Sequence, residues 1–387
     1  MDQDASEPLS IGILCHPTYG GSGVVASELA LSLARRGHDV HLFSHEVPPR
    51  LARSAGPVHM HRSQGLPYPL FASTPHDLAI TSTILTEHRA RGFDILHAHY
   101  ALPHAVTAFL ARAAAGSDPS RPAPKIVTTL HGTDITIVGS DPAYAPLTQF
   151  VISASDAATA VSESLARDTR EHFCLETGEG CDIHVIPNFV DTATFHPDAG
   201  QGPADGPPHA VHVSNFRPVK RVPWMIEAFA KATEGTDALL TLVGDGPDRA
   251  PAQRLVGELG IGNRVRFLGE RDALPQLLAV ADVFLLASHE ESFGLSALEA
   301  MSCGIPVVAT AAGGLPEVVL HEQCGLLAPV EDQDAFASAI RTLVLDRQRA
   351  ATLGKAARAS VEERFQRDAI VSRYEALYRK VRNTPNA

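Results

Sequence analysis

Short runs of β-branched and aliphatic residues alternate along this chain with longer segments in which apolar residues recur every three to four positions. In the first half the short runs are IGILC (11–15), DVHLFS (39–44), FDILHAH (93–99), KIVTTL (125–130), AATAVS (157–162) and DIHVIP (182–187). Helical patterns lie between them, as at 23–36 and 74–91. The second half repeats the scheme with AVHVSNF (210–216), ALLTLVGDG (238–246), RVRFLGE (264–270), DVFLLAS (282–288) and PVVAT (306–310). Near-continuous apolar strands separated by helices predict parallel sheets covered on both faces. The expectation is an α/β protein of two Rossmann-like, doubly wound domains facing across a cleft, with ligands at the carboxyl ends of the strands.

The stretch HPDAGQGPADGPPHA (196–210) is rich in Pro and Gly and has no apolar periodicity, which predicts a linker. It divides a first domain (1–195) from a second (211–365), and a C-terminal amphipathic helix (about 366–387) would pack back on the first. AAGSDPSRPAP (114–124) predicts a surface loop. A chain of 387 residues suits two cores better than one.

The net charge of −12 argues against nucleic acid as a partner. No apolar run is long enough to span a bilayer, and MDQDASEPLS has neither the basic start nor the apolar core of a signal peptide. Five cysteines, odd in number and without CxxC spacing, argue against a zinc site or a disulfide framework. These features predict a cytoplasmic protein without stable membrane association, and they leave a homo-oligomer open.

Five stretches could carry chemistry. GGSG, with Gly20, Gly21, Ser22 and Gly23, follows a strand and opens a helix, where free N–H groups and the helix dipole favour a phosphate or carboxylate. A tight turn would need the same glycines. SNFRPVKRV (214–222) places Arg217, Lys220 and Arg221 just past a strand, a cluster suited to a diphosphate or to an exposed turn. In SHEESFGLSALEAMSCGIPVVAT (288–310), Glu291 and Glu299 flank a turn at Gly294, where carboxylates can accept hydrogen bonds from vicinal hydroxyls. TTLHGTDIT (128–136) and HAHYALPHA (97–105) bring His131, His99, Tyr100 and His104 to strand ends. Asp332 and Asp334 read as helix-capping residues, and no metal constellation is expected.

Taken together, GGSG, NFRPVKR, GDGP (244–247), FLGE (267–270), the E-x7-E block and GGLPEVV (313–319) resemble the retaining GT-B glycosyltransferases of family 4. CHPTYGGSGVVASELA, HAHYALPHA, TTLHGTDIT, TAVSESL, IPNFVD and VSNFRPVKRV are similar to the members that act in bacillithiol biosynthesis. That resemblance implies transfer of N-acetylglucosamine from UDP-GlcNAc to L-malate with release of UDP, without a metal cofactor. It leaves a different small polar or lipid acceptor as the alternative. By the same resemblance, Arg217 and Lys220 would neutralise the diphosphate, with Gly21, Ser22 and Gly244 close to it. Glu299 would hold the ribose and Glu291 the sugar, and Phe293, Gly294 and Leu295 would offer backbone N–H groups. His131 would stand beside the donor sugar. Tyr100, Thr129, Asn188 and Arg50 would meet the acceptor, together with Gln149, which stands where the resemblance leads one to expect Arg.

Overall fold

The computed structural model describes residues 7–385 except 19, 55, 72, 117–120, 175–181, 201–205 and 272–273. Two compact units emerge. One combines the residues up to Pro187 with those from Asp368 onward, and the other is Asn188–Arg367. Of the expected linker 196–210, residues 201–205 lie outside the described residues, as do 117–120 of the expected loop 114–124.

The first unit holds seven parallel strands: β1 (Ser10–Leu14), β2 (Asp39–Ser44), β3 (Val58–Arg62), β4 (Ile95–His99), β5 (Lys125–Leu130), β6 (Ala157–Ala160) and β7 (Ile183–Val185). Their order in the sheet is β3-β2-β1-β4-β5-β6-β7. The second unit holds β8 (His209–Val213), β9 (Leu239–Val243), β10 (Val265–Gly269), β11 (Val283–Leu286), β12 (Val307–Thr310) and β13 (Gly325–Ala328). Here the order is β10-β9-β8-β11-β12-β13. In each sheet the chain winds outward one way, then returns to the middle and winds outward the other way. Right-handed crossovers then place helices on opposite faces of the two halves, the doubly wound arrangement the sequence predicts. The order reverses between β1 and β4 in one sheet and between β8 and β11 in the other. Loops leaving the carboxyl ends of those four strands border the natural ligand crevice of each sheet.

The central strands are buried along their whole length, as β4 and β5 illustrate. Two edge strands were not expected from the sequence: β3 reads VHMHR and is half-exposed, and β13, GLLA, is apolar but only four residues long. In the second unit Phe216, Met225, Phe229, Leu240, Leu285 and Phe336 share one apolar core. Asp332 caps its helix as expected, accepting from the Ala335 amide at 2.8 Å.

The C-terminal helix Arg367–Arg382 buries Ile370, Tyr374, Leu377, Tyr378 and Val381, a helical spacing. From Asp368 on it belongs to the first unit, where Tyr378 Oη lies 2.7 Å from His97 Nδ1 on β4. The other nitrogen of His97 meets Thr129 Oγ1 at 2.7 Å, and Thr129 meets Thr159 Oγ1 at 2.7 Å. Burial pushes the His97 imidazole down to about 3, so it is neutral and fully hydrogen-bonded within the core. One cysteine departs from the sequence reading: Cys174 is disulfide-bonded, whereas Cys15, Cys303 and Cys324 are free and buried.

Candidate functional site

In the second unit, the loops after β8 and β11 meet at the point where the strand order reverses. The His289 amide donates to the Val219 carbonyl at 2.8 Å, fastening one loop to the other. Lys220 Nζ then stands 2.5 Å from Glu291 Oε2, and Ser288 Oγ donates to the same oxygen at 3.2 Å. Both side chains of this ion pair are mostly covered, so solvent screens it less than a surface pair. Beneath them His212 on β8 is fully buried, with Nδ1 donating to the Leu285 carbonyl at 2.8 Å and Nε2 2.7 Å from Ser214 Oγ. Burial, with Lys220 nearby, holds that imidazole down at about 4, and it carries no charge at neutral pH.

Two glycine pairs brace this arrangement. Gly244 has φ +124, and a Cβ there would lie 1.7 Å from the Ser214 carbonyl oxygen. Its loop can therefore press against the β8 loop only without a side chain. A Cβ on Gly313 would come within 2.3 Å of the Glu291 carbonyl oxygen, which accepts from the Gly314 amide at 2.8 Å. The backbone of Glu291 is fixed from behind.

Gly294 has φ +93 and begins the helix Leu295–Ser302. Glu299 sits in the second turn of that helix and is 7 % exposed. The Phe293 side chain packs edge-on against Phe365, ring centroids 5.7 Å apart, so only its backbone is available to a ligand. Arg217 is exposed at the start of the turn Pro218–Lys220. Arg221 separates from the cluster: its guanidinium lies 4.2 Å over the Trp224 ring and bonds the Ala287 and Val330 carbonyls, a structural role.

In the first unit, the loops after β1 and β4 flank the other reversal point. Gly21 has φ +61, precedes the helix Ser22–Arg35 and leaves it without a side-chain cap. A Cβ on Gly20 or Gly21 would meet nothing within 4 Å, whereas one on Gly23 would lie 2.5 Å from the His16 carbonyl oxygen. Gly23 is thus demanded by loop packing, and Gly21 by the turn that opens an uncapped helix N-terminus. His16 packs edge-on to Tyr100 at 5.3 Å, joining this loop to the one after β4.

Tyr100 adopts φ +104, a backbone conformation that disfavours any side chain. It is held there by its amide on the Thr129 carbonyl at 3.0 Å and its hydroxyl on Thr133 Oγ1 at 2.6 Å. The His131 ring stacks on Tyr100 at 5.5 Å, and its Nε2 lies 3.0 Å from His99 Nδ1. Desolvation pushes His131 down to about 3, so the ring is neutral. Below it, Asp134 accepts from the amides of His131 (3.1 Å), Gly132 (2.8 Å) and Ala101 (3.0 Å). Burial outweighs those amides and raises its carboxyl to about 6.

The structure thus gathers Lys220, Glu291 and Gly244 in one unit, and His131 and Tyr100 in the other. Thr129 stands apart, because its hydroxyl is fully buried and engaged by His97 and Thr159. Asn188 is 7 % exposed and belongs to the second unit, its Oδ1 buried with no hydrogen-bond partner among the described residues. Gln149 is half-buried on the helix Ala145–Ala154, and Arg50 lies on the short helix Pro49–Ala52. Sequence reasoning gave no role to His212, one place before VSNFRPVKRV, or to Ser288, the first residue of SHEESFG, and it read Asp134 only as part of the polar group that follows His131.

Comparison with known proteins agrees with the fold. Residues 19–194 match the family described as Glycosyltransferase Family 4, and residues 198–360 match Glycosyl transferases group 1. The chain is 43% identical to N-acetyl-alpha-D-glucosaminyl L-malate synthase of Bacillus anthracis over 376 residues, covering 96% of each chain. It is 31% identical to D-inositol 3-phosphate glycosyltransferase of Xylanimonas cellulosilytica, covering 88% of this chain and 87% of the relative. Among solved structures, sucrose-phosphate synthase from Thermosynechococcus elongatus superposes with a TM-score of 0.78 at 25% identity, covering 96% of this chain and 99% of that one. Anabaena HepE in complex with UDP and glucose gives 0.79 at 23% identity, covering 95% and 99%. Both belong with the two-sheet GT-B architecture described above.

Proposed function

The chain belongs to the family 4 glycosyltransferases, and on that premise we propose that it moves N-acetylglucosamine from UDP-GlcNAc to the hydroxyl of L-malate, releasing UDP. The observation that carries this reading is the identity of 43% along nearly the whole of a relative named for that product. The relative's product is an α-glycoside, and the donor's anomeric bond is α, so the transfer would retain configuration. The reaction is the opening step of bacillithiol biosynthesis.

In this reading Lys220 and exposed Arg217 meet the diphosphate, and their charge stabilises the leaving group in the transition state. Glu291, held by Ser288 and the Gly314 amide, accepts from sugar hydroxyls, and Glu299 accepts from the ribose. The backbone amides at Phe293, Gly294 and Leu295 are offered to the donor. Neutral His131 cannot donate a proton as an acid near pH 7, so it acts on the sugar as a hydrogen-bonding ring or through its carbonyl. The leaving phosphate oxygen takes the malate hydroxyl proton on the face it departs from, and no side-chain nucleophile is needed. Gly21 and Ser22 contribute the uncapped helix N-terminus to an anionic group. Tyr100, Gln149 and Arg50 remain the acceptor contacts of this reading.

A second acceptor class stays in view because Gln149 replaces the expected Arg and a relative at 31% identity is named for an inositol phosphate. UDP release from UDP-GlcNAc, measured with L-malate, with inositol 3-phosphate and with no acceptor, separates the readings. Turnover only with malate supports the proposal. Turnover with the inositol phosphate alone refutes it.

A further inference from the structure

Away from the loops described above, the edge of the first sheet carries a cluster that the glycosyltransferase reading does not use. Strand alternation puts Asp39 and His41 on one face of β2, and His59 and His61 on one face of β3. The parallel register pairs His41 with His59 directly, and Phe43 with His61. Both faces coincide, and the helix His76–Arg91 lays Glu87 beside them.

Asp39 Oδ1 lies 3.2 Å from His41 Nε2 and 3.5 Å from His59 Nε2. Ligands about 2.1 Å from a tetrahedral ion are about 3.4 Å from one another, so both separations are those of a coordination edge. All three residues can offer ligand atoms within 4.8 Å of one another. His41 is fully buried, while the side chains of Asp39 and His59 are 41% and 53% exposed, so an ion has an entry path and room for water.

Behind His41 the pattern continues. Its Nδ1 lies 2.7 Å from His61 Nε2, and His61 Nδ1 lies 3.8 Å from Glu87 Oε1. A metal-bound imidazole commonly donates its second N–H to a polar partner, which fixes its tautomer. Here that chain runs from His41 to His61 and then to a carboxylate. Phe93 packs edge-on to His41 at 5.1 Å, and Phe43 stacks on His61 at 4.7 Å, locking both rings. Arg91 is the nearby opposing charge, and it is engaged by Glu87 at 3.2 Å.

We propose that Asp39, His41 and His59 bind one divalent transition-metal ion, Zn2+ by the chemistry of the donors, with His61 and Glu87 orienting His41. Two imidazoles and a carboxylate favour Zn2+ over Mg2+ or Ca2+, which take oxygen ligands. The ion would tie the exposed edge strand β3 to β2. Its binding raises stability with concentration, because the unfolded chain offers no assembled site.

The test is calorimetric titration of the untagged full-length chain with Zn2+ and with Mg2+, alongside Asp39→Asn and His59→Gln. Both substitutions fall at exposed positions and leave the core intact. His289→Gln serves as a control, because among the described residues His289 pairs with one carboxylate, Glu331 at 3.2 Å, and belongs to no three-residue cluster. The expected result is saturable uptake of one Zn2+ per chain, no comparable Mg2+ uptake, and affinity reduced at least about tenfold in both ligand variants but not in the control, in line with loss of a ligand. Absence of saturable Zn2+ uptake, or affinity unchanged in Asp39→Asn and His59→Gln, overturns the proposal.

Discussion

Lys220 Nζ lies 2.5 Å from Glu291 Oε2, although the two residues are 71 positions apart in the chain. Strands β8 and β11 are neighbours in the sheet, so their exit loops must meet, and the charges meet with them. On the proposed function, a diphosphate bound here would find a cation already oriented, which lowers the cost of ordering it. Lys220→Ala should therefore lower kcat/KM for UDP release by about 10²–10³, the range for loss of one preorganised electrostatic contact. Lys220→Arg should restore part of it. Steady-state kinetics on variants with native circular dichroism would check both, and an unchanged kcat/KM in Lys220→Ala would remove this residue from the mechanism.

The braces behind the pair make a separate stability prediction. Gly244→Ala combines a φ of +124 with a Cβ placed 1.7 Å from the Ser214 carbonyl oxygen. The second unit should lose roughly 2–4 kcal/mol from strain and overpacking together. Gly20→Ala, where a Cβ meets nothing within 4 Å, should stay within about 0.5 kcal/mol of the parent. Urea unfolding of both variants reads the contrast.

Much of this arrangement is legible in the sequence, for reasons that differ between residues. DVHLFS and KIVTTL coincide with β2 and β5 because buried strands concentrate β-branched and large apolar residues, here Val40, Leu42 and Phe43 and then Ile126, Val127 and Leu130, even with polar residues between them. The place of GGSG, NFRPVKR and E-x7-E in the fold is readable because each follows a strand, β1, β8 and β11 in turn, where backbone amides and short polar residues come free. Strand β3 escaped because an edge strand need not be apolar, and its VHMHR alternation reads as polar surface. Thr129 was misread for a related reason. It lies in the strand rather than after it, so its hydroxyl points into a buried network that only the C-terminal helix, far along the chain, completes.

That network can be probed at its most distant member. Tyr378→Phe removes the hydroxyl that lies 2.7 Å from His97 Nδ1 and leaves a buried ring nitrogen without its partner. The expected loss is about 1–3 kcal/mol, the cost of an unsatisfied buried polar group. A denaturation midpoint equal to that of the parent chain would mean the contact contributes nothing.

Acid should destabilise the fold before the ordinary carboxylates titrate. His41 and His212 are held at about 4, and His97 and His131 at about 3, by burial, against an unfolded value near 6.5. Between those values the unfolded chain binds more protons than the native one, so stability falls as pH drops from about 6.5 toward 3. Asp134 works the other way. Its carboxyl, raised to about 6, takes up a proton in the native state first and favours the fold as pH falls through that range. His16, His61, His99, His104 and His209 are lowered as well, against the raised carboxyls of Asp134 and Asp248, so the melting temperature should decline steadily below about pH 6.5. Melting curves at constant ionic strength would show it, and a flat profile down to pH 5 would contradict the buried neutral histidines.

The most direct measurement is a crystal structure of the chain with UDP bound. The diphosphate should lie within hydrogen-bond distance of Lys220 and Arg217, with the ribose hydroxyls on Glu299. A nucleotide bound elsewhere, with Lys220 still paired only to Glu291, would contradict the account.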